Sequence, residues 1–214
     1  MFDLKTNRNN QKLLQLAVDQ ISAKDRKLAS VITRVGPCRI LQKCTDSAFE
    51  ALVQSIVSQQ LSGRAAQSIF NRVKLLSGNA RLPEPQFFVD AEDDVLRYAG
   101  LSRAKALSIR DLARKMIDGQ IPSIEEMIEM PEEEILRRLT AVRGIGRWTV
   151  EMLLMFRLGK LDVLPSTDLG VRKGFALTYG KKELPEPAHL EKFGERWRPY
   201  RSVASWYLWR ALEF

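Results

Sequence analysis

Three features of this 214-residue chain predict an all-α fold. Apolar residues recur at three- and four-residue steps along most of its length. Small polar residues stand where helices would begin, and no stretch shows the sustained alternation of a half-buried strand. The first apolar stripe is Leu13, Leu16, Ala17 and Ile21, and the second is Leu28, Val31, Ile32 and Val35. Ser47 and Glu50 have the spacing of a capping box ahead of Phe49, Leu52, Val53, Ile56 and Val57. Ser62 is placed as the N-cap of a helix carrying Ala66, Ile69, Phe70 and Val73, and Ser102 opens one that ends near Gly119. Ser123 with Glu126 forms another box, and Pro131 followed by three glutamates is a further start. Breaks fall at Gly36-Pro37, Ser77 to Pro85, Gly100, Gly119 to Pro122, Gly144 to Gly146, Leu164 to Asp168 and Gly180 to Pro187.

Composition narrows the function classes. Apolar residues make up 45% of the chain, enough for one large domain or two small lobes. A net charge of +8 and a pI near 9.7 fit a polyanionic partner, with nucleic acid the first candidate. Cys38, Cys44 and a single histidine, His189, cannot assemble a zinc site or a four-thiolate iron–sulfur cluster, and they leave little room for a histidine-based triad. Two cysteines suit a reducing compartment without a disulfide framework. No run approaches the roughly 18 apolar residues of a membrane span, and the N-terminal MFDLKTNRNNQ lacks a signal-peptide core. The expectation is an intracellular protein that does not enter membranes.

The most informative segment runs from Leu139 to Val150. An apolar helix ends at Val142, Arg143-Gly144-Ile145-Gly146 turns the chain, and a second helix starts at once with Arg147-Trp148-Thr149. Glycine permits a sharp turn and close approach to another molecule. The start of the second helix offers backbone N–H groups and the positive end of a dipole. Arg143 and Arg147 flank that anion site, so the segment suits one DNA phosphate held without regard to sequence. An ordinary helix–helix turn with a glycine C-cap is the competing reading of the same residues.

That second helix is expected to reach about Leu158. Pro165-Ser166-Thr167-Asp168 follows, and Asp168 stands 22 residues after Gly146, where a new helix should begin. Taken alone, Asp168 reads as an N-cap. Together with the hairpin it resembles the helix-hairpin-helix DNA glycosylase superfamily, whose catalytic aspartate occupies such a loop. Within it the chain is most similar to 3-methyladenine (alkylpurine) DNA glycosylases of the bacterial inducible and yeast types. The resemblance covers most of the chain, through Phe49-Glu50-Ala51-Leu52, Ser58-Gln59-Gln60-Leu61-Ser62, Gly144 to Met152, and Tyr200-Arg201-Ser202 to Trp209. It departs from many relatives at Thr167, where they carry a second aspartate.

The resemblance implies a two-lobed helical fold with a cleft across which DNA lies and into which the damaged nucleotide flips. The lobes are expected to be 1–36 with 165–214, and 37–164 containing the hairpin at 139–158. Asp168 is the expected catalytic carboxylate, stabilising positive charge on the sugar or orienting water as the N-glycosidic bond breaks. Trp148, Phe156 and Trp209 resemble an aromatic base pocket, whose ring faces attract a cationic alkylated base. In lyase members a lysine takes the second position after the hairpin's last glycine. Trp148 is there instead, which implies a monofunctional enzyme that leaves the abasic site uncut. Gln60, Leu61 and Ser62 are candidates for the minor-groove wedge, Leu101 for a plug on the opposing side, and Lys105, Arg143, Gly144, Ile145, Gly146, Arg147 and Thr149 for further DNA contacts. No cofactor is required, although the family's hairpin often holds Na+ or K+ on backbone carbonyls, here those of Thr140, Val142 and Ile145. The expected partner is double-stranded DNA with alkylated bases, met by a monomer in the cytoplasm or nucleoid if bacterial and the nucleus if eukaryotic. The alternative function is a non-catalytic protein that recognises abasic or distorted DNA. A DNA-bending protein would explain the charge but not the Asp168 loop.

Overall fold

The computed structural model describes residues 4–40, 47–79 and 81–214, and among these it is helical without a strand. The helices are α1 (Leu4–Lys24), α2 (Arg26–Val35), α3 (Ala48–Ser58), α4 (Gly63–Leu75), α5 (Pro85–Asp90), α6 (Asp93–Tyr98), α7 (Arg103–Ile117), α8 (Ile124–Glu129), α9 (Glu132–Thr140), α10 (Arg147–Phe156), α11 (Leu169–Tyr179), α12 (Pro187–Gly194) and α13 (Arg201–Arg210). Short 3-10 turns follow α12 and α13. The start signals act as their chemistry requires. Ser47, Ser62, Ser102 and Asp168 each accept a backbone N–H from three residues ahead, and Ser123 with Glu126 closes both arms of a capping box. No helix of the described residues is long and apolar enough to cross a membrane. Cys38 is a free thiol, and Cys44 lies outside the described residues.

Contacts divide the chain into two compact units, Met1–Cys44 with Leu154–Phe214, and Thr45–Leu153. The second boundary therefore falls inside α10, not at the 164/165 expected from the Pro165 break. Ser202 of α13 is the reason. Its hydroxyl donates to the Lys160 carbonyl (2.7 Å) and accepts the Val163 N–H (2.9 Å), and its own N–H donates to the Leu161 carbonyl (2.9 Å). The segment after α10 is thereby tied to the chain's terminal helices. The first boundary is also later than the 36/37 expected, since the Tyr207 hydroxyl of α13 donates to the Gly36 carbonyl (2.8 Å) and Ile40 is buried.

In the first unit α13 packs against α2, α11 and α1. A buried aspartate pins the joint between its early and late helices. Asp25 caps α2 through the Leu28 N–H (3.1 Å) and accepts the Tyr179 hydroxyl (2.5 Å) and the Trp197 indole N–H (3.0 Å). The buried face of α1 is Leu14, Ala17 and Ile21, whereas Leu13 and Leu16 are exposed. The stripe expected from Leu13 and Leu16 is thus rotated by about one residue, because Leu13, Leu14 and Leu16 support two interleaved helical registers. Gly174 of α11 lets that helix touch the α13 backbone, since a Cβ there would fall 1.9 Å from the Leu208 carbonyl oxygen.

In the second unit α7 is central, packing against α3, α5 and α6. Arg110 of α7 binds the chain between α5 and α6 through the Phe88 carbonyl (3.3 Å), the Ala91 carbonyl (2.6 Å) and the Asp93 carboxylate (2.5 Å).

Candidate functional site

The hairpin lies in the second unit. The Val142 N–H donates to the Leu139 carbonyl (3.1 Å) as α9 ends, and the Ile145 N–H donates to the Val142 carbonyl (3.1 Å). Gly144 holds a left-handed φ of +75°. Helical bonding in α10 begins with the Val150 N–H on the Gly146 carbonyl (3.2 Å), so the amides just ahead of Val150 lie before the first intrahelical bond. The side chains of Val142 (1% exposed) and Ile145 (4%) anchor the turn inside the unit. Gly144 and Gly146 do different work. A Cβ at Gly144 would meet the Ser108 hydroxyl at 2.5 Å, whereas one at Gly146 would meet nothing within 4 Å. Gly146 has no positive φ, so its role is open space at the helix start and not backbone conformation.

Three residues of α7 hold this turn and the loop between α3 and α4 together. Asp111 accepts the Arg143 N–H (2.8 Å) while paired to Lys115 (2.6 Å). Partial burial would raise its carboxyl, but the Arg143 amide and the Lys115 ammonium outweigh that and keep it below the ordinary range. Ser108 lies under Gly144. Lys105 donates to the Val57 (2.7 Å) and Gln59 (3.0 Å) carbonyls, and burial lowers its ammonium below the usual lysine range. Gln59 completes the link, its side-chain amide donating to the Gly144 carbonyl (2.8 Å). At the tip of the α3–α4 loop, Gln60 has a φ of +57° and is exposed, as is Leu61, while the Ser62 hydroxyl is engaged in capping α4.

The structure thus places the expected DNA contacts in two groups. The side chains of Arg143 and Arg147, the Gly146 backbone, Gln60 and Leu61 lie at the surface. Arg147 is shared with Glu151, to which its Nε donates at 2.8 Å. Leu101 (3% exposed) and Thr149 (4%) are buried, which gives their side chains packing roles instead of a plug and a phosphate contact. Lys105 is spent on carbonyls. Its environment, and the link from Asp111 to the Arg143 amide, left no sequence signal, because the groups bound are backbone atoms.

Asp168 lies in the first unit, in a loop fixed along its length. Beyond the Ser202 bonds, Arg201 binds Asp162 through its carboxylate (2.8 Å) and carbonyl (2.6 Å), Arg198 also pairs with Asp162, and the buried Ser166 donates to Glu191 (2.7 Å). Oδ1 of Asp168 accepts two donors, the Val171 N–H (2.7 Å) and the indole N–H of Trp209 (2.8 Å). With one oxygen held twice, the carboxylate cannot rotate without breaking both bonds. The Trp209 ring also lies 5.8 Å from that of Phe156, tilted by 31°. Asp168, Trp209 and Phe156 are therefore neighbours, and Trp209 meets the carboxylate through its polar edge. Trp148 belongs to the other unit and is 46% exposed in the first turn of α10. Thr167 is exposed. His189 stacks edge-on to Phe175. Among the described residues no cluster of His, Cys, Asp or Glu is arranged to hold a metal. The hairpin carbonyls of Thr140, Val142 and Ile145 have the hard-oxygen character that Na+ or K+ requires, with that of Val142 also accepting the Ile145 N–H.

Comparison with known proteins points to one family. The family model for HhH-GPD superfamily base excision DNA repair proteins matches residues 53–199. DNA-3-methyladenine glycosylase 1 of Schizosaccharomyces pombe is 37% identical over 185 residues, 86% of this chain and 80% of its own. The alkylbase DNA glycosidase-like protein mag2 of the same organism is 33% identical over 195 residues, 91% of this chain and 92% of its own. The solved structure of the S. pombe 3-methyladenine DNA glycosylase Mag1 in complex with abasic DNA superposes with a TM-score of 0.84 at 36% identity, covering 92% of this chain and 97% of that one. A glycine turn that opens α10, an aspartate pinned at the start of α11 and above all these matches make the chain a member of the HhH-GPD superfamily of base excision DNA repair proteins.

Proposed function

We propose that this protein is a monofunctional DNA glycosylase that hydrolyses the N-glycosidic bond of alkylated purines such as 3-methyladenine and leaves an abasic site. The observation that carries the reading is the Asp168 carboxylate, held by the Val171 amide and the Trp209 indole at the start of α11. Breaking the bond builds positive charge on the sugar, and a carboxylate fixed beforehand stabilises that charge without reorganising as it develops. Water attacks C1′ and releases its proton to solvent, while the C1′–N bonding pair leaves with the base and neutralises its ring charge. A purine alkylated at N3 or N7 is already cationic and needs no dedicated acid. Phe156 and Trp209, neighbours beside Asp168, are the aromatic groups proposed to favour such a base. The amides and arginines of the hairpin hold one backbone phosphate, and Gln60-Leu61 at the loop tip fills the space left by the flipped nucleotide. A monovalent cation on the hairpin carbonyls would add positive charge beside the phosphate, and no chemical step depends on it. One chain carries both the hairpin and the carboxylate, which supports action as a monomer; the proposed setting is the cytoplasm or nucleoid of a bacterium or the nucleus of a eukaryote.

Release of free base from methylated duplex DNA is the test. The wild type should release 3-methyladenine, and Asp168→Asn should slow single-turnover release by about two orders of magnitude or more, with DNA affinity kept or raised. Borohydride should trap no enzyme–DNA adduct, since Trp148 stands at the lyase lysine position. A mutant as fast as wild type, or a trapped adduct, would overturn this reading.

A further inference from the structure

Two residues after Asp168, Gly170 occupies the first turn of α11. Glycine is a poor helix former, and Gly170 does not have the left-handed φ that would require it. What it supplies is room. A Cβ at Gly170 would lie 2.7 Å from Cδ1 and 2.8 Å from Nε1 of Trp209, and 3.1 Å from Oδ1 of Asp168. The first two distances are closer than real Cβ contacts come, so the indole would have to move, and its N–H is the group bonded to Asp168. The indole is not free to give way cheaply. Its backbone neighbour Leu208 is pressed against Gly174 one turn further along α11, and the Phe156 ring packs on the indole itself.

We propose that Gly170 is a positioning residue for base excision: the space it leaves admits the indole edge of Trp209 to the Asp168 carboxylate and so sets the carboxylate's orientation. The proposal rests on the reading of Asp168 as the catalytic carboxylate. It separates the two parts Trp209 plays. As a pocket wall, Trp209 needs only its ring; as a positioning residue it needs its N–H and the empty space at position 170.

The test is single-turnover release of 3-methyladenine at saturating enzyme, with DNA affinity measured alongside. Gly170→Ala is expected to lower the rate at least tenfold and to leave affinity within twofold. Added to Trp209→Ala, which removes the obstructed ring, Gly170→Ala should cost nothing further, and added to Asp168→Asn it should again cost nothing. A Gly170→Ala rate within twofold of wild type, or a loss that persists undiminished beside Trp209→Ala, overturns the proposal. Should Gly170→Ala fail to fold, Trp209→Phe keeps a ring and removes the N–H. It is expected to lose at least tenfold in rate at unchanged affinity and to be non-additive with Asp168→Asn, and a normal rate overturns the proposal. If Asp168→Asn itself is as fast as wild type, the underlying catalytic reading fails. If Asp168→Asn is slow while both Gly170→Ala and Trp209→Phe are fast, only the positioning role fails.

Discussion

Asp111 and Asp168 both place a carboxylate on backbone amides, and the rest of their surroundings separates their roles. Asp168 adds an indole N–H and stands at a helix start, which suits the proposed catalytic carboxylate. Asp111 adds an ammonium, Lys115, so that its charge is offset beside the turn proposed to receive a phosphate. Its carboxyl is held below the ordinary value of 3.8, so it contributes stability that is present above that value and is lost as pH falls through the lowered one. Asp111→Asn keeps an acceptor for the Arg143 N–H but loses the charge. At neutral pH it is expected to destabilise by about 1 kcal/mol, a charge-assisted bond discounted for partial exposure. The gap to wild type in thermal midpoint should close as pH falls below 3.8. A gap that widens in acid would mean that Asp111 does not hold the turn as an anion.

At the scale of elements, α7 determines the shape of the backbone proposed to face DNA, since Lys105, Ser108 and Asp111 secure the α3–α4 loop and the hairpin from one helix. The two hairpin glycines should therefore fail differently. Gly144→Ala meets Ser108 at 2.5 Å and strains a φ of +75°, so it should lower the melting temperature. Gly146→Ala meets nothing and should fold normally, yet bind damaged and undamaged duplex equally less well. Circular dichroism with anisotropy titrations checks both, and a folded Gly146→Ala that binds like wild type would mean that DNA passes elsewhere. The glycine spacing and the flanking apolar helix made this hairpin legible in the sequence, and serine caps did the same for the helix starts. Lys105 and Leu101 were not legible. A lysine and a leucine beside a DNA-facing loop look the same whether they reach outward or inward, and the carbonyls that claim Lys105 leave no trace in side-chain identity. The Trp209–Asp168 bond was hidden for a related reason. Sequence marks an aromatic residue as a pocket wall by its type, whereas the direction of its N–H is set by the approach of α13 to α11.

For the molecule as a whole, the net charge of +8 makes DNA affinity a function of salt. Counting only Arg143 and Arg147, the slope of log affinity against log salt should be about −1.8, or roughly a tenfold loss between 50 and 200 mM. Arg147→Ala should flatten that slope by about one unit or less, since Glu151 already claims part of the guanidinium. A slope near zero would remove phosphate contacts from the binding. Stability has a separate pin. Asp25 joins α2 to Tyr179 and Trp197 inside the first unit, and its carboxylate pushes the Tyr179 hydroxyl upward after burial has done so. Asp25→Ala leaves those buried donors unmatched and should cost about 2–3 kcal/mol in denaturant unfolding, without touching the hairpin. The unit that Asp25 pins is assembled from both ends of the chain, whereas the other is one continuous stretch. On the ribosome the two cannot mature together. The stretch that carries the hairpin is synthesised before α11 and α13, and domains tend to fold as their chains appear. A nascent chain would then acquire the means to hold a backbone before the means to cut a base from it.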